Sequence, residues 1–351
     1  MATKIGLDIG SSAVRAVQLG TGGRGPLTVE RIGQVLLPAG AVRDGEVAEP
    51  DLVVDALRQL WSRYKLKGRK VNLGLANQQV VVRQIDLPYL PEVELRASLP
   101  FQVQDHIPIP VEQAILDLHV LEHFQTEDGQ QFSRILLVAA HRDMVQGFLD
   151  VLKRAKLGVQ SVDLAPFALL RSLAATGVLD GQDGELLVDV GSSVTNIVVH
   201  RGGVPQFVRI LLMGGNALTD ALTNGLNVSR EEAEELKAGL ADGSLPQEQA
   251  EPAARLVADQ AQRFVQEIRG SVDYYAAQAE SVAIRRIILS GGASQLPHLA
   301  DRLEQSLRMQ VDHGHPMQEL KIGQVGLEQD ELVRAEPYLA VAVGLAAGAA
   351  E

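Results

Sequence analysis

One short pattern occurs twice in this chain of 351 residues. The letters DIGSS occupy residues 8–12, and DVGSS occupies residues 189–193. Each copy lies between two alternating, β-branched runs, which is the pattern of an antiparallel hairpin. The apolar positions before the two turns also align, so the repeat covers strand, turn and strand. A chain of this length that builds one hairpin twice is expected to fold as two related lobes.

The remaining strand and helix patterns extend this repeat into an α/β architecture. A third strand follows each hairpin, and further strands are predicted at 71–76 and 286–289. From residue 80 the pattern changes to short strands and helices separated by prolines, which indicates an inserted α+β subdomain. The predicted divisions are a first lobe at 1–83 and 164–183, an inserted subdomain at 84–163, a second lobe at 184–216 and 284–351, and a helical insertion in the second lobe at 217–283.

Charge and composition exclude several kinds of partner and chemistry. The chain has 32 Lys and Arg against 44 Asp and Glu, a formal net charge of −12, which argues against nucleic acid as a partner. It has no cysteine, which excludes disulfides, thiolate metal sites and cysteine nucleophiles. The apolar segment Leu339–Ala350 is too short to cross a bilayer and carries no lysine or arginine. It predicts a buried closing helix and no direct membrane insertion.

Three glycine-rich or polar segments are predicted to be loops. The letters GTGGRG at 20–25 match a dinucleotide-binding fingerprint, but they lead from strand to strand rather than into a helix. They therefore predict a hairpin loop. Residues 177–184 predict the connection between the lobes, and DGSLPQEQAEPA at 242–253 predicts a solvated loop.

The duplicated turns have the composition of a phosphate and magnesium site. Glycine lets a ligand approach the main chain, serine hydroxyls and amides donate to phosphate oxygens, and a carboxylate can hold Mg²⁺ through water. A Gly-Gly turn after the strand at 286–289 precedes a helix, which favours an anion or a ribose-phosphate. Taken singly, each turn could simply join two elements. The candidate residues are Asp8 and Asp189 for metal and catalysis, and Gly10, Ser11, Ser12, Gly191, Ser192, Ser193, Gly291, Gly292 and Ser294 for the ligand.

With paired Asp-x-Gly hairpins and a later GGAS turn, the whole chain resembles the actin-like ATPase superfamily, whose fold is a duplicated RNase H-like lobe. The resemblance implies that ATP and Mg²⁺ bind between the lobes, with the two hairpins holding the phosphates. MGGNALTDAL at 213–222 is similar to the segment that also lines the nucleotide, which implies roles for Gly214, Gly215 and Asn216. By the same resemblance Glu234 and Lys237 flank the adenosine.

Within that superfamily the chain resembles the PilM family of type IV pilus assembly. The residues that carry this likeness are KIGLDIGSSAVRAVQL, LPEVELRASLPFQVQDHIPIPVEQAILDLHVL, VDLAPFALLRSL and NVSREEAEELKAG. The resemblance implies a cytoplasmic scaffold that docks the N-terminal tail of a PilN-like membrane protein and so lies at the inner face of the cytoplasmic membrane. The docking groove would lie between the first lobe and the inserted subdomain, with Tyr89, Leu90 and the 80–87 run as contributors or as core. Contact with pilus motor ATPases and self-association are further implications.

Hydrolysis of ATP is expected to be slow or absent. In actin-like hydrolases a polar residue near the connecting helix orients the attacking water, and here only Asp163 in the segment DLAPF is polar. Two other functions fit the same fold. One is a small-molecule kinase with Asp163 as its catalytic carboxylate, and the other is an FtsA-like cytoskeletal protein. A scaffold that binds no nucleotide is disfavoured by the intact turns.

Overall fold

The computed structural model describes residues 3–20, 26–174, 183–278 and 281–348. The strands are β1 (Thr3–Ile9), β2 (Ala13–Gly20), β3 (Thr28–Leu36), β4 (Val42–Arg43), β5 (Glu46–Val47), β6 (Lys70–Leu75), β7 (Val81–Pro88), β8 (Ala114–Gln125), β9 (Gln131–His141), β10 (Gly158–Leu164), β11 (Gly184–Val190), β12 (Thr195–Arg201), β13 (Val204–Leu211), β14 (Ile284–Ser290), β15 (Gln310–His313) and β16 (Lys321–Ile322). The helices are α1 (Pro50–Tyr64), α2 (Glu92–Gln102), α3 (Arg142–Arg154), α4 (Ala165–Leu173), α5 (Gly215–Leu226), α6 (Arg230–Asp242), α7 (Gln247–Ala276), α8 (Leu299–Leu307), α9 (Gln329–Ala335) and α10 (Ala340–Ala347).

The two large sheets repeat one strand order. In the first sheet the order is β10-β6-β1-β2-β3-β16, and in the second it is β13-β12-β11-β14-β15. In each sheet an antiparallel meander of three strands is extended, beside its first strand, by two parallel strands. The duplication predicted from the two short turns therefore extends to five strands in each lobe. The turns themselves lie at matching places, at the carboxyl ends of β1 and β11.

The inserted subdomain is a three-stranded sheet, in the order β7-β9-β8, covered by α2. Its core includes Leu95 and Leu99 of α2 and Ile135 and Leu137 of β9. This unit ends at residue 141. Residues 142–163, which we predicted as part of it, belong to the first lobe, because β10 pairs with β6 and the apolar side of α3 packs into the first-lobe core. Residues 81–83 of β7 join the subdomain.

Residues 284–351 were predicted to lie in the second lobe, and β14 and β15 do belong to the second sheet, but β16 and α10 return to the first lobe. The short strand β16 pairs with β3, and α10 covers β1, β6 and α4. Gly344 of α10 lies directly against the carbonyl of Ala168 in α4, so these two helices pack main chain to main chain. Both helices also contact the second sheet through an apolar cluster that includes Leu187 and Ile288. The lobes are thus joined through α4 and α10.

The structure confirms the predicted closing helix and corrects one of the predicted loops. The closing helix was predicted correctly, since α10 is buried along its length. The predicted loop at 242–253 is wrong over its second half, because α7 already begins at Gln247 and carries Pro252 inside the helix. Its Gln, Glu and Ala residues favour helix strongly enough to accommodate one lost hydrogen bond. Residues 21–25 of the predicted hairpin loop and 177–182 of the predicted connection lie outside the described residues. Among the described helices, none is long and apolar enough to cross a bilayer.

Candidate functional site

The two aspartates of the duplicated turns lie near the carboxyl ends of β1 and β11, one in each lobe. Burial raises the pKa of Asp8 to about 6, Arg15 acts against this rise, and the negative charge of Asp189 adds to it. Burial likewise raises the pKa of Asp189. Because two carboxylates influence one another's protonation only when they are close, Asp8 and Asp189 form one acidic site that contains residues from both lobes.

Arg15 lies inside this site, and our sequence reasoning missed it. It stands opposite Asp8 in the hairpin register, and its Nη1 lies 3.6 Å from Asp8 Oδ2. Its Nε donates to Gln34 Oε1 at 2.9 Å, and its guanidinium lies 5.6 Å from the centre of the Tyr338 ring. The same guanidinium also lowers the pKa of Asp189. The sequence signal was present, because a two-residue turn after Gly10 fixes which residue faces Asp8.

Asp189 is held in place by hydrogen bonds from its own lobe. Ser290 Oγ donates to Asp189 Oδ1 at 2.7 Å, and Asn196 Nδ2 donates to Oδ2 at 3.3 Å. Asn196 occupies the position in the second hairpin that Arg15 occupies in the first. Its buried Oδ1 accepts no hydrogen bond from the described residues, so it is an acceptor beside Asp189 that still needs a donor.

The oxygen atoms of this site suit a hydrated magnesium ion. Mg²⁺ prefers carboxylate and amide oxygens and keeps several of its waters. Asp8 and Asp189 supply carboxylates of opposite lobes, and the unpaired Asn196 Oδ1 could accept from a metal-bound water. The residues therefore fit the ion that the sequence predicted.

The second hairpin is braced by the start of α5. The amide of Gly215 donates to Gly191 O at 3.0 Å, and the amide of Asn216 donates to Ser192 O at 2.7 Å. The side-chain amide of Asn216 also donates to Ser193 Oγ at 2.6 Å. A side chain at Gly214 would place its Cβ only 2.3 Å from Gly191 O, so this close approach requires glycine. The predicted residues of both segments are therefore in direct contact.

Glu234 and Lys237 on α6 reach the same helix start. Lys237 Nζ lies 2.6 Å from Glu234 Oε2 and donates to Thr219 Oγ1 at 2.7 Å, while Thr219 donates to Glu234 Oε1. Burial raises the pKa of Glu234, but the hydrogen bonds from Lys237 and Thr219 outweigh it and hold the pKa below its usual value. Lys237 Nζ also lies 3.5 Å from Gly215 O. Sequence reasoning missed Thr219, which joins the pair to α5.

The Gly-Gly turn after β14 lies beside the second hairpin. Gly291 has a φ of +89°, and a Cβ there would lie 2.4 Å from Val190 O, so both the conformation and the space require glycine. Its amide donates to Pro337 O at 2.9 Å, and Ser294 is buried within the next turn of chain. Gly292 lies against the ring of Tyr338, the residue that also contacts Arg15. Tyr338 thus connects the glycine turn of the second lobe with the first-lobe hairpin.

Asp163 lies apart from this constellation. It is in register with Gly74, which is in register with Asp8, so two strand spacings of roughly 10 Å in total separate the main chains of the two aspartates. Its carboxylate accepts from the amide of Leu164 and pairs with Arg171 on α4.

The hydroxyls of Ser11, Ser12 and Ser192 lie in the half-buried turns, where the carbonyl of Ser12 accepts from Leu37 N.

The raised pKa of Asp8 predicts a pH-dependent stability. Below about pH 6 the folded protein binds a proton on Asp8, whereas the unfolded chain binds it only near 3.8. Since the folded state then holds more protons, its stability rises as the pH falls from 7 to 5, by about 1 kcal/mol from this group. The Asp8→Asn variant should lack this gain in stability between pH 7 and pH 5. Urea denaturation without nucleotide at both pH values measures it. If the original chain and Asp8→Asn gained the same stability between pH 7 and pH 5, protonation of Asp8 would not be the cause.

The chain matches one family of known proteins over nearly its whole length. The sequence model of the family described as "Type IV pilus assembly protein PilM" matches residues 6–349 of the chain. The chain is similar to a solved structure described as a PilM-PilN type IV pilus biogenesis complex, with a TM-score of 0.86, 26% identity, and coverage of 99% of this chain and 98% of that one. It is also similar to MreB5 of Spiroplasma citri bound to ADP, with a TM-score of 0.55, 12% identity, and coverage of 98% and 95%.

Curated relatives include the cell division protein FtsA of Streptococcus pneumoniae serotype 2. The identity is 24% over 325 residues, which cover 86% of this chain and 66% of that protein. The chain therefore spans slightly less than two thirds of that relative's length. These similarities confirm the predicted actin-like α/β fold and the predicted family.

Proposed function

The chain belongs to the PilM family of type IV pilus assembly proteins, and from this premise we propose that it is an ATP-binding scaffold of the pilus assembly platform. The single observation that carries the nucleotide part of this proposal is the convergence of Asp8 and Asp189 between glycine-lined turns of opposite lobes. A ligand bound there would contact both lobes at once and favour their closure.

The geometry supports Mg²⁺-ATP as that ligand. Main-chain amides and hydroxyls of both hairpins can donate to phosphate oxygens, and Asp8 and Asp189 can hold the ion through water. Arg15 adds a positive charge on the side of the first lobe. The turn at Gly291–Gly292 and the pair of Glu234 and Lys237 lie beyond the second hairpin, where the nucleoside would extend. Bound ADP in the similar MreB5 structure supports a nucleotide in this fold.

The proposed partner is the N-terminal cytoplasmic tail of a PilN-like membrane protein. The similarity to a PilM-PilN complex supports it. Of the residues predicted for the groove, Val80 and Val82 pack against the first-lobe core, and Ile85 packs inside the inserted subdomain. Tyr89 keeps 44% of its surface exposed and remains the best candidate for contact. Binding such a tail would hold the protein at the inner face of the cytoplasmic membrane and near pilus motor ATPases.

The surroundings of Asp163 favour slow hydrolysis. Its carboxylate is already engaged by Arg171 and by the amide of Leu164, so it is poorly placed to act as a free base for water. ATP would then act by closing the lobes. The effect of ATP on partner affinity would then be limited to the difference in its own affinity for the open and closed states.

The test is a calorimetric titration of the full chain with ATP and Mg²⁺, with and without a synthetic peptide of the PilN-like tail. We expect both ligands to bind, and each to change the affinity for the other by about 5- to 150-fold. In Asp8→Ala, ATP binding should be lost while peptide binding persists. Binding of ATP without any binding of the peptide would contradict the pilus partner. ADP released in a burst on addition of sugars would instead indicate a kinase.

A further inference from the structure

One face of the first lobe is strongly basic in a chain whose net charge is −12. Its six cationic side chains are all exposed and make no ion pair with the described residues. We name this surface the basic face, and it consists of Arg63, Lys65, Lys67, Arg69, Lys70 and Lys156. Segments 61–70 and 151–158, which contribute these residues, contain no Asp or Glu.

The fold brings these two segments together at one edge of the first sheet. Lys70 begins β6 and stands in register with Gly158, the first residue of β10. The amide of Gly158 donates to Arg69 O at 2.7 Å. Lys156 precedes this contact by two residues, and α1 ends at Tyr64, just before the loop. The charges therefore form one surface rather than scattered positions.

The two acidic side chains of α1 are already paired, and Glu30 of β3 makes no ion pair with the described residues. Asp51 pairs with Arg154, Asp55 pairs with Arg58, and Glu30 accepts a hydrogen bond from Gln18. None of these carboxylates neutralises a member of the basic face. The six charges thus remain available to a partner.

Helix capping explains only part of this cluster. Basic residues stabilise the carboxyl end of a helix, which accounts for Arg63 and Lys65 at the end of α1 and for Lys156 after α3. Lys67, Arg69 and Lys70 lie in the loop and at the start of a strand, where no helix end requires them. Like charges held this close repel one another, so a compensating anionic surface would stabilise the arrangement.

The basic face lies opposite the nucleotide cleft. The hairpin of residues 10–12 is at the carboxyl end of β1, whereas Lys70 and Gly158 are at the amino ends of strands parallel to it. A strand of six residues separates the two edges by about 20 Å. A surface bound at the basic face would leave the cleft open to nucleotide.

We infer that the basic face rests on the anionic surface of a lipid bilayer. Leu66 and Trp61, the large apolar residues of this segment, are buried, so the face can lie against headgroups without inserting. Lysines and arginines spread over loop, strand and helix ends suit diffuse headgroup charge better than one shaped anion pocket. The inference goes beyond the proposed function but is consistent with it, since a partner's membrane tail would bring the protein to that surface.

The test is cosedimentation of the full chain with vesicles, in the absence of nucleotide and peptide. We expect binding to phosphatidylglycerol-containing vesicles at low ionic strength, weakening with added salt, and no binding to pure phosphatidylcholine vesicles. Lys67→Gln/Arg69→Gln/Lys70→Gln should weaken binding by about 100-fold, since each cation near an anionic membrane changes the partition about fivefold. The matched control, Arg43→Gln/Arg263→Gln/Arg334→Gln, changes three exposed, unpaired cations elsewhere and should bind like the original chain.

Several results would overturn the inference. They are no binding to the anionic vesicles, equal binding by both triple variants, or complete competition by millimolar inorganic phosphate, which would indicate a discrete phosphate site. Preference for duplex DNA over vesicles would also overturn it. Circular dichroism melting shows whether each variant is folded. ATP and peptide titrations of the basic-face variant should be unchanged, so failure here remains distinguishable from failure of the proposed scaffold function.

Discussion

Replacing Gly214 with alanine is expected to weaken ATP binding by at least about 100-fold. The added Cβ would lie 2.3 Å from Gly191 O and 2.9 Å from Ser192 O. The two segments must then separate by about 1 Å to reach a normal contact distance. That movement breaks the hydrogen bonds of Gly215 and Asn216 to the second hairpin, and with them the geometry that would grip the phosphates. Calorimetric titration with ATP and Mg²⁺ measures the loss.

The control for this variant is Gly147→Ala on α3, where an added Cβ meets nothing within 4 Å. It should bind ATP normally and be slightly more stable, because alanine favours helix over glycine by up to about 1 kcal/mol. Peptide binding by Gly214→Ala reports whether the rest of the protein is intact. If Gly214→Ala bound ATP like the control, the second hairpin and α5 would not form the phosphate site.

Replacing Gly344 with alanine is expected to cost about 3 kcal/mol of folding free energy, at the upper end of what overpacked cores show. The Cβ would lie 1.8 Å from the carbonyl oxygen of Ala168 and 2.4 Å from its carbon. Both atoms belong to the main chain of α4, so no side-chain rotation relieves the clash. The helices must move apart, which opens the apolar cluster that joins the two sheets. Urea denaturation followed by circular dichroism measures the change.

Gly270→Ala provides the matched substitution in a helix with free space. An added Cβ there also meets nothing within 4 Å, so a small gain in stability is expected. A change of less than about 0.5 kcal/mol in Gly344→Ala would show that α4 and α10 are not tightly packed in solution.

Local patterns in the sequence predicted the elements that local forces determine. The hairpins at 8–12 and 189–193 were predicted from alternation and turn residues, and both lie where expected. At the start of α6 the Ser229 hydroxyl accepts from the Glu232 amide and the Glu232 carboxylate accepts from the Ser229 amide, a capping box set by residues only three apart. The pairing of Glu234 and Lys237 beside Gly215 came from family resemblance, because the contact between α6 and α5 depends on tertiary packing.

Features that depend on distant contacts were missed or misplaced. The strand β16 pairs with β3 across almost 300 residues of chain, so no local pattern assigns the C-terminal segment to the first lobe. The apolar pattern of helix α3 shows that one side is buried but not which core buries it. The predicted boundary at 163 was wrong for this reason. Tyr338 joins Gly292 and Arg15 only after both lobes have formed. Arg15 itself was accessible from hairpin register but lay outside the motif letters.

The duplication of the hairpin has a consequence for the direction in which a ligand can lie. Two identical halves would present the same surface from both sides, and an elongated ligand could bind either way round. Here the position opposite the aspartate is Arg15 in one copy and Asn196 in the other. The glycine turn after β14 has as its counterpart, after β6, the Ala76–Asn77 segment that leads into the inserted subdomain. Arg15 on the first lobe and a turn without side chains on the second make the two sides of the site unlike, so a ligand with an anionic head and a flat, neutral tail has one orientation available.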